Sequence, residues 1–194
     1  MTKKEALLKA AKELFGEHGY AETTFAMISQ RAGVAMGLLA HHYGNKEKLF
    51  LAAGMDVLES LLARLRSAIE DSPSGAESVR RFCRAYLDAC LDPDDHFLVL
   101  IRCSPYSDMK TREDRETMTT KFSEVWTMLE ACVSEGMRDG TLEPGDARLA
   151  TQFVSCSLVG AVRTLSLTPY PAQGLPEEVI DRIALALAPC GCKQ

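Results

Sequence analysis

TTFAMISQRAGVAMGLLAHHYGNKEKLF, residues 23–50, decides how the rest of the chain is read. Thr23-Thr24 precede a run in which Ile28 and Ala32 recur at helical spacing, and threonine oxygens suit the free N–H groups of a helix start. This predicts a short helix over about 25–32. Gly33 breaks it, because a turn there calls for the positive φ that ordinary side chains disfavour. Val34 follows as a buried turn residue, and a second short helix is expected over about 35–42. Asn45 then caps a long helix that starts at 46 and carries Phe50, Val57, Leu61 and Leu65 on its inner stripe.

Helix, glycine turn, helix is the pattern in which a second helix enters the DNA major groove while the first crosses the backbone. Ile28, Ala32, Val34 and Leu39 are the apolar contacts that set the angle between the two helices. The adjacent His41 and His42 do not suit a metal. Neighbours on a helix point roughly 100° apart, whereas helical ligands recur at i, i+3 or i, i+4. Neither histidine has a placed nucleophile or carboxylate, so a catalytic pair is equally unsupported. No metal and no cofactor are expected.

Outward from this stretch, a period of about 3.6 residues dominates and no alternating strand stands out. A first helix is expected over about 3–18, with Leu7, Ala11, Leu14 and Phe15 inward. Ser72-Pro73-Ser74-Gly75 is the clearest break. It ends the long helix expected over about 46–71, and beyond it helices are expected at about 76–91, 94–103, 109–138, 146–167 and 176–188, punctuated by Gly140, Pro144-Gly145 and Pro169-Tyr170-Pro171. The fold class is all-α. A three-helix head over residues 1–46 is followed by a larger helical domain over 47–194.

Composition agrees with an ordinary globular chain, 46% hydrophobic and 25% charged over 194 residues. No run approaches the roughly 20 apolar residues of a membrane span, and the amphipathic N-terminus lacks a signal-peptide core. A cytoplasmic location with no membrane partner is expected. The net charge of −5 is uneven: residues 1–48 carry seven Lys/Arg against five Glu, and the remainder is acidic. A mildly positive head on an acidic body fits a polyanion at one end. Seven cysteines without regular spacing read as reduced thiols, mostly core. Cys190 and Cys192 alone leave a soft-metal or disulfide role open.

The stretch resembles the signature of the TetR family of bacterial transcriptional regulators. Thr23-Thr24, Ala32-Gly33-Val34, Gly37, Leu39, His42-Tyr43, Lys46 and Leu49 carry the resemblance, and AKELFGEHGY (11–20) is similar to the family's first helix. The resemblance implies a dimeric repressor that grips operator DNA through paired heads and releases it when a small molecule fills the body. It implies phosphate contacts from Thr24 with its helix N-terminus, and from His42. Tyr43 is expected to be packed with its hydroxyl at the edge, and Lys46 to pin the DNA backbone by charge. Positions where the family often carries Ser/Thr, Lys, Thr/Asn and Tyr are here Ala35, Met36, Leu38 and Ala40. Such a helix is poor in donors for base edges, leaving thymine methyls, His41 and DNA shape.

In the body, Tyr86, Cys90, Phe97 and Ile101 stand on inward stripes, as do Tyr106, Phe122, Trp126, Leu129 and Phe153. Most belong to an ordinary core, but buried Tyr and Trp need polar partners and can orient a ligand. Arg102 and Ser155 are candidate polar contacts to such a small-molecule effector, of hydrophobic or aromatic character. Ser157, Gly160 and Ala161 are small, and Val179, Ile183 and Leu187 form a stripe. Such a helix pair can complete a four-helix bundle with a second copy. Two other functions remain open: a helical interaction or scaffold protein whose head no longer binds DNA, and a small helical enzyme. Against the enzyme stand the absence of a phosphate-cradling glycine loop and of an HExxH or paired-cysteine motif.

Overall fold

The computed structural model describes residues 2–102, 109, 111–170 and 173–190. Among the described residues there is no strand, and the helices follow the expected order. They are α1 (Lys3–Glu22), α2 (Phe25–Ala32), α3 (Met36–Tyr43), α4 (Lys46–Ile69), α5 (Gly75–Leu91), α6 (Leu98–Arg102), α7 (Arg112–Arg138), α8 (Ala147–Leu167) and α9 (Leu175–Leu187). The chain divides into two compact units, residues 1–60 with 92–122, and residues 61–91 with 123–194.

In the first unit, α1 starts on a reciprocal cap that the sequence reading did not single out. Glu5 N–H donates to Thr2 Oγ1 at 3.2 Å, and Thr2 N–H donates to Glu5 Oε2 at 2.8 Å. Gly19 leaves helical geometry at φ 80°. Thr23, fully buried, turns its hydroxyl back onto the Leu14 and Gly19 carbonyls at 3.0 and 2.8 Å. Leu7, Phe15, Ile28, Leu39, Leu49 and Phe50 make a core without exposed surface. Phe15 meets Phe50 edge-on at 5.4 Å, and Tyr20 lies 5.2 Å from Phe50. α6 packs directly on α1, close enough that a Cβ on Gly16 would stand 3.2 Å from Leu98 Cβ.

One helix was expected over about 94–103; the structure has a 3₁₀ turn at Pro93–Asp95 and the short α6 instead. Asp92 accepts the Asp94 N–H at 2.9 Å, and His96 takes a left-handed φ of 55°, which a continuous helix does not permit. α7 starts at Arg112 because Thr111 Oγ1 accepts the Asp114 N–H at 3.2 Å.

In the second unit, α5 buries Val79, Phe82, Cys83, Tyr86 and Leu87. Gly75 at its start lies against the backbone of Gly136, leaving no room for a side chain. Two groups just beyond α7 satisfy the first N–H groups of α5. Asp139 Oδ2 accepts from Gly75 at 2.8 Å and Thr141 Oγ1 from Ala76 at 3.1 Å. α5 also packs on α8 and α9, where Val154, Leu158, Ile180 and Ile183 are buried.

Candidate nucleic-acid interface

α2 and α3 are joined in the geometry the glycine turn implies. Gly33 sits at φ 64°, ψ 32°, and its N–H closes α2 onto the Gln30 carbonyl. Val34 N–H then donates to the Ser29 carbonyl at 3.0 Å, and Ser29 Oγ donates back to the Val34 carbonyl. Both backbone polar groups of Val34 are thereby satisfied. At the other end of α2, Thr24 accepts the Met27 N–H at 3.2 Å, and its side chain stays exposed. Phosphate could join this N-terminus, whose dipole favours anions.

α3 anchors by Leu39, fully buried. Ala35, Met36, Gly37, Ala40, His41 and His42 are exposed, and Leu38 and Tyr43 are half-buried. The Tyr43 hydroxyl donates to the Lys4 carbonyl at 3.3 Å, so the ring packs with its polar tip at the edge. Burial, with Asp56 nearby, pushes its pKa up. This contact also sets the exposed Lys3 and Lys4 of α1 beside the end of α3, where they are candidate phosphate contacts. Sequence reasoning missed them because only the fold brings the two ends together.

Lys46 has a different environment from the one its charge suggested. Its ammonium donates to the carbonyls of Tyr20, Ala21 and Thr23 at 2.8, 3.3 and 3.0 Å. It also stands 4.4 Å over the centroid of the Tyr20 ring. All three ammonium donors face the carbonyl end of α1, where a cation complements the helix dipole. Lys46 thus joins the helix that follows α3 to the end of α1. Arg31 performs a parallel service for α2. Its guanidinium forks onto Glu17 at 3.0 and 2.9 Å and reaches Glu13 at 3.2 Å.

Residues 7–53 match the model of the bacterial regulatory proteins of the tetR family. The HTH-type transcriptional repressor KstR2 of Mycolicibacterium smegmatis is 25% identical over all of this chain and 92% of its own length. The FadR regulator of Bacillus subtilis, solved with stearoyl-CoA, superposes with a TM-score of 0.79 at 19% identity, covering 93% of this chain and 97% of that one. AibR, solved with isovaleryl coenzyme A and operator DNA, gives 0.78 at 18% identity over 96% and 98%. Residues 7–53 therefore form a TetR-type head. The chain is a DNA-binding transcriptional regulator, and that head is the region just described.

The body contains part of the expected ligand constellation in each unit. In the second unit, Tyr86 is buried between Phe82, stacked at 6.4 Å, and Trp126, tilted at 5.6 Å. Burial first, then the adjacent Cys90 thiol, raises the Tyr86 pKa well above its ordinary value. Cys90 and Leu129 are buried, and Trp126 is half-buried. Ser155 Oγ donates to the Gln152 carbonyl at 2.9 Å. Phe153, expected on an inward stripe, is 46% exposed, because Val154 takes the inward position of α8. In the first unit, Phe97 and Ile101 are buried and Phe122 half-buried. Arg102 is exposed and donates to the Glu17 carbonyl at 3.3 Å. Tyr106 lies outside the described residues.

A cavity of about 170 Å³ that sequence reasoning did not anticipate lies between α5 and α9, lined by Val79, Cys83, Leu142, Ile180 and Ile183 among others. Ile183, expected on a dimer seam, is 2% exposed in the single chain, and Ala161 is 5% exposed. Ser157, Val179 and Leu187 are half-buried. Only Gly160 of that expected set is openly exposed, on a face of α8 that it shares with Phe153 and Cys156. Among the described residues no group of acidic, histidine or cysteine side chains could hold a metal ion. No described helix is long and apolar enough to cross a membrane.

Proposed function

We propose that the protein is a homodimeric cytoplasmic repressor that leaves its operator when a hydrophobic small molecule binds. Residues 1–46 act as the DNA-binding domain and 47–194 as the effector-binding and dimerisation domain. It catalyses no reaction. The observation that carries this reading is the outward face of α3, held by the Gly33 turn on one side and by Lys46 on the other. Thr24 and His42 contact phosphate, and Ala35 to His41 present the surface that meets base edges. Lys46 contributes chiefly by holding the head in place.

For the effector, support comes from the aromatic cluster of Tyr86 and Trp126 and from the ligands named for FadR and AibR, both acyl thioesters of coenzyme A. An acyl thioester, with an apolar tail for the helical core, is the effector class. Release requires that it bind a head spacing that no longer matches half-sites roughly 34–36 Å apart better than the DNA-bound spacing. α6 lies against α1 at Gly16, so a shift of α6 would be felt in the head.

The test begins with selection of random-sequence duplex DNA by the full-length protein, followed by titration of the selected duplex with acyl-CoA of increasing chain length. A specific sequence is enriched, and long-chain acyl-CoA lowers its affinity tenfold or more while quenching or shifting Trp126 emission. Failure to enrich any sequence would make the chain a helical interaction protein. Enrichment without any acyl-CoA effect would overturn the effector class alone.

A further inference from the structure

We infer that the operator is read through the 5-methyl groups of thymine, with Met36 as the reading side chain. This rests on the DNA-binding reading above and specifies what the head recognises. A helix-turn-helix contacts base edges with the N-terminal residues of its second helix. In α3 those are Met36, Gly37 and, one turn on, Ala40, and Ala35 caps the helix with no side-chain hydrogen bond. None of these four side chains has a hydrogen-bond donor or acceptor of the strength used to read guanine or adenine edges. Met36 is 56% exposed, the only large hydrophobic residue of α2 or α3 left so open. Elsewhere in the α2–α3 unit the larger apolar groups are covered, Ile28 and Leu39 at zero exposure and Phe25, Met27, Val34 and Leu38 half-buried.

The surroundings favour a close approach. A Cβ on Gly37 would meet no atom within 4 Å, so open space lies in front of that backbone. Ala40, also exposed, adds only a methyl. A flat, small-residue surface carrying one flexible thioether chain can press on the major groove, and the major-groove feature it complements is the thymine methyl. Among Ala35, Met36, Gly37, Ala40 and His41, all exposed, only His41 carries a polar side chain, so hydrogen-bond readout by these residues rests on one imidazole. The same chemistry extends to 5-methylcytosine, which presents a methyl at the equivalent edge. Methylation of a cytosine at the contacted position would therefore strengthen binding to a C·G variant of the site.

The experiment uses full-length protein and the duplex enriched from random DNA. Each thymine of the half-site is replaced in turn by deoxyuridine, which removes only the methyl, and binding is measured by fluorescence anisotropy. At one position per half-site, affinity falls about fourfold for each methyl lost, the worth of one buried apolar carbon. Cytosine there binds more weakly than 5-methylcytosine by a similar factor. Met36→Ala, a change at an exposed position, keeps the fold by circular dichroism and binds thymine and deoxyuridine duplexes equally. Equal binding of all deoxyuridine duplexes by the wild type would overturn methyl reading while leaving the regulator intact. A Met36→Ala protein that retains the full deoxyuridine penalty would overturn the assignment to Met36. If no sequence is enriched, the DNA-binding function fails and this inference with it.

Discussion

Lys46 shows how a residue's chemistry and its place can point in different directions. A lysine just after a recognition helix suits a phosphate, and the sequence alone carries nothing against that. Only the fold returns the end of α1 to it, with three carbonyls at 2.8–3.3 Å and the Tyr20 ring beneath. Each carbonyl at the end of α1 would otherwise lack a helical partner. Lys46→Met keeps the stem and removes the donors. The variant should melt several degrees lower, since a lost set of charge-assisted hydrogen bonds costs about 1.5–3 kcal/mol. Its DNA affinity should drop because α3 is no longer held, while the slope of log affinity against log salt stays within a few tenths of wild type. A backbone-contacting lysine would flatten that slope by roughly one counterion. Calorimetry and a salt series on the same protein distinguish the two roles.

At the scale of elements, most boundaries were legible because capping and turn residues mark them. Thr24 and Gly33 bound α2 as read, and Asn45, which accepts the Lys48 N–H at 2.9 Å, marks the start of α4. The break inside 92–102 was not legible, because His96 adopts a left-handed φ without being glycine. Nor was the outward face of α8, where Phe153 and Val159 outside are as apolar as Val154 and Leu158 inside. Periodicity gives a stripe but not its direction when both sides are hydrophobic.

The link from α4 to α7 was equally hidden, since its partners are 66 residues apart: Lys48 Nζ donates to Asp114 Oδ1 at 2.7 Å. Asp114 is only 2% exposed, and its other oxygen has no hydrogen-bond partner. Burial disfavours the Asp114 charge, but hydrogen bonds from Lys48 and Thr111 with the lysine charge outweigh it, and the pKa lies below the usual 3.8. A carboxylate depressed in the folded state stabilises it above the unfolded pKa, and that stabilisation is lost as pH falls through the folded value. Lys48→Met should therefore lower the melting temperature at pH 7. The gap to wild type should narrow as pH falls below the ordinary carboxylate value and through the lower folded value of Asp114, where the carboxylate is protonated. A gap that stays unchanged through the acid titration of Asp114 would show that the pair does not act through the Asp114 charge.

For the whole molecule, two half-sites on DNA call for two copies of the chain in a closed, isologous arrangement. Of the surfaces available, the outward face of α8 fits a second copy best. Leu149, Phe153 and Val159 are 66%, 46% and 37% exposed there, and Gly160 lies among them without a side chain to hold a partner helix off. Ile183 is the wrong place to test this, because a charge there would enter the packing of α9 on α5 and unfold the single chain. Gly160→Arg is the better probe. No atom lies within 4 Å of a Cβ at that position, so the chain itself accommodates the change. Arginine also favours an exposed helix over glycine by about 0.8 kcal/mol, which removes helix weakening as an explanation. A guanidinium driven into an apolar seam would be buried without a partner, a cost of several kcal/mol and a hundredfold or more in dimer affinity. Sedimentation at micromolar concentration should give a dimer for the wild type and a monomer for Gly160→Arg, with unchanged helicity. The monomer should lose most of its affinity for a two-half-site duplex yet bind a single half-site as weakly as a wild-type head does. A wild type that sediments as a monomer, or a Gly160→Arg protein that remains dimeric, would place the contact on another face.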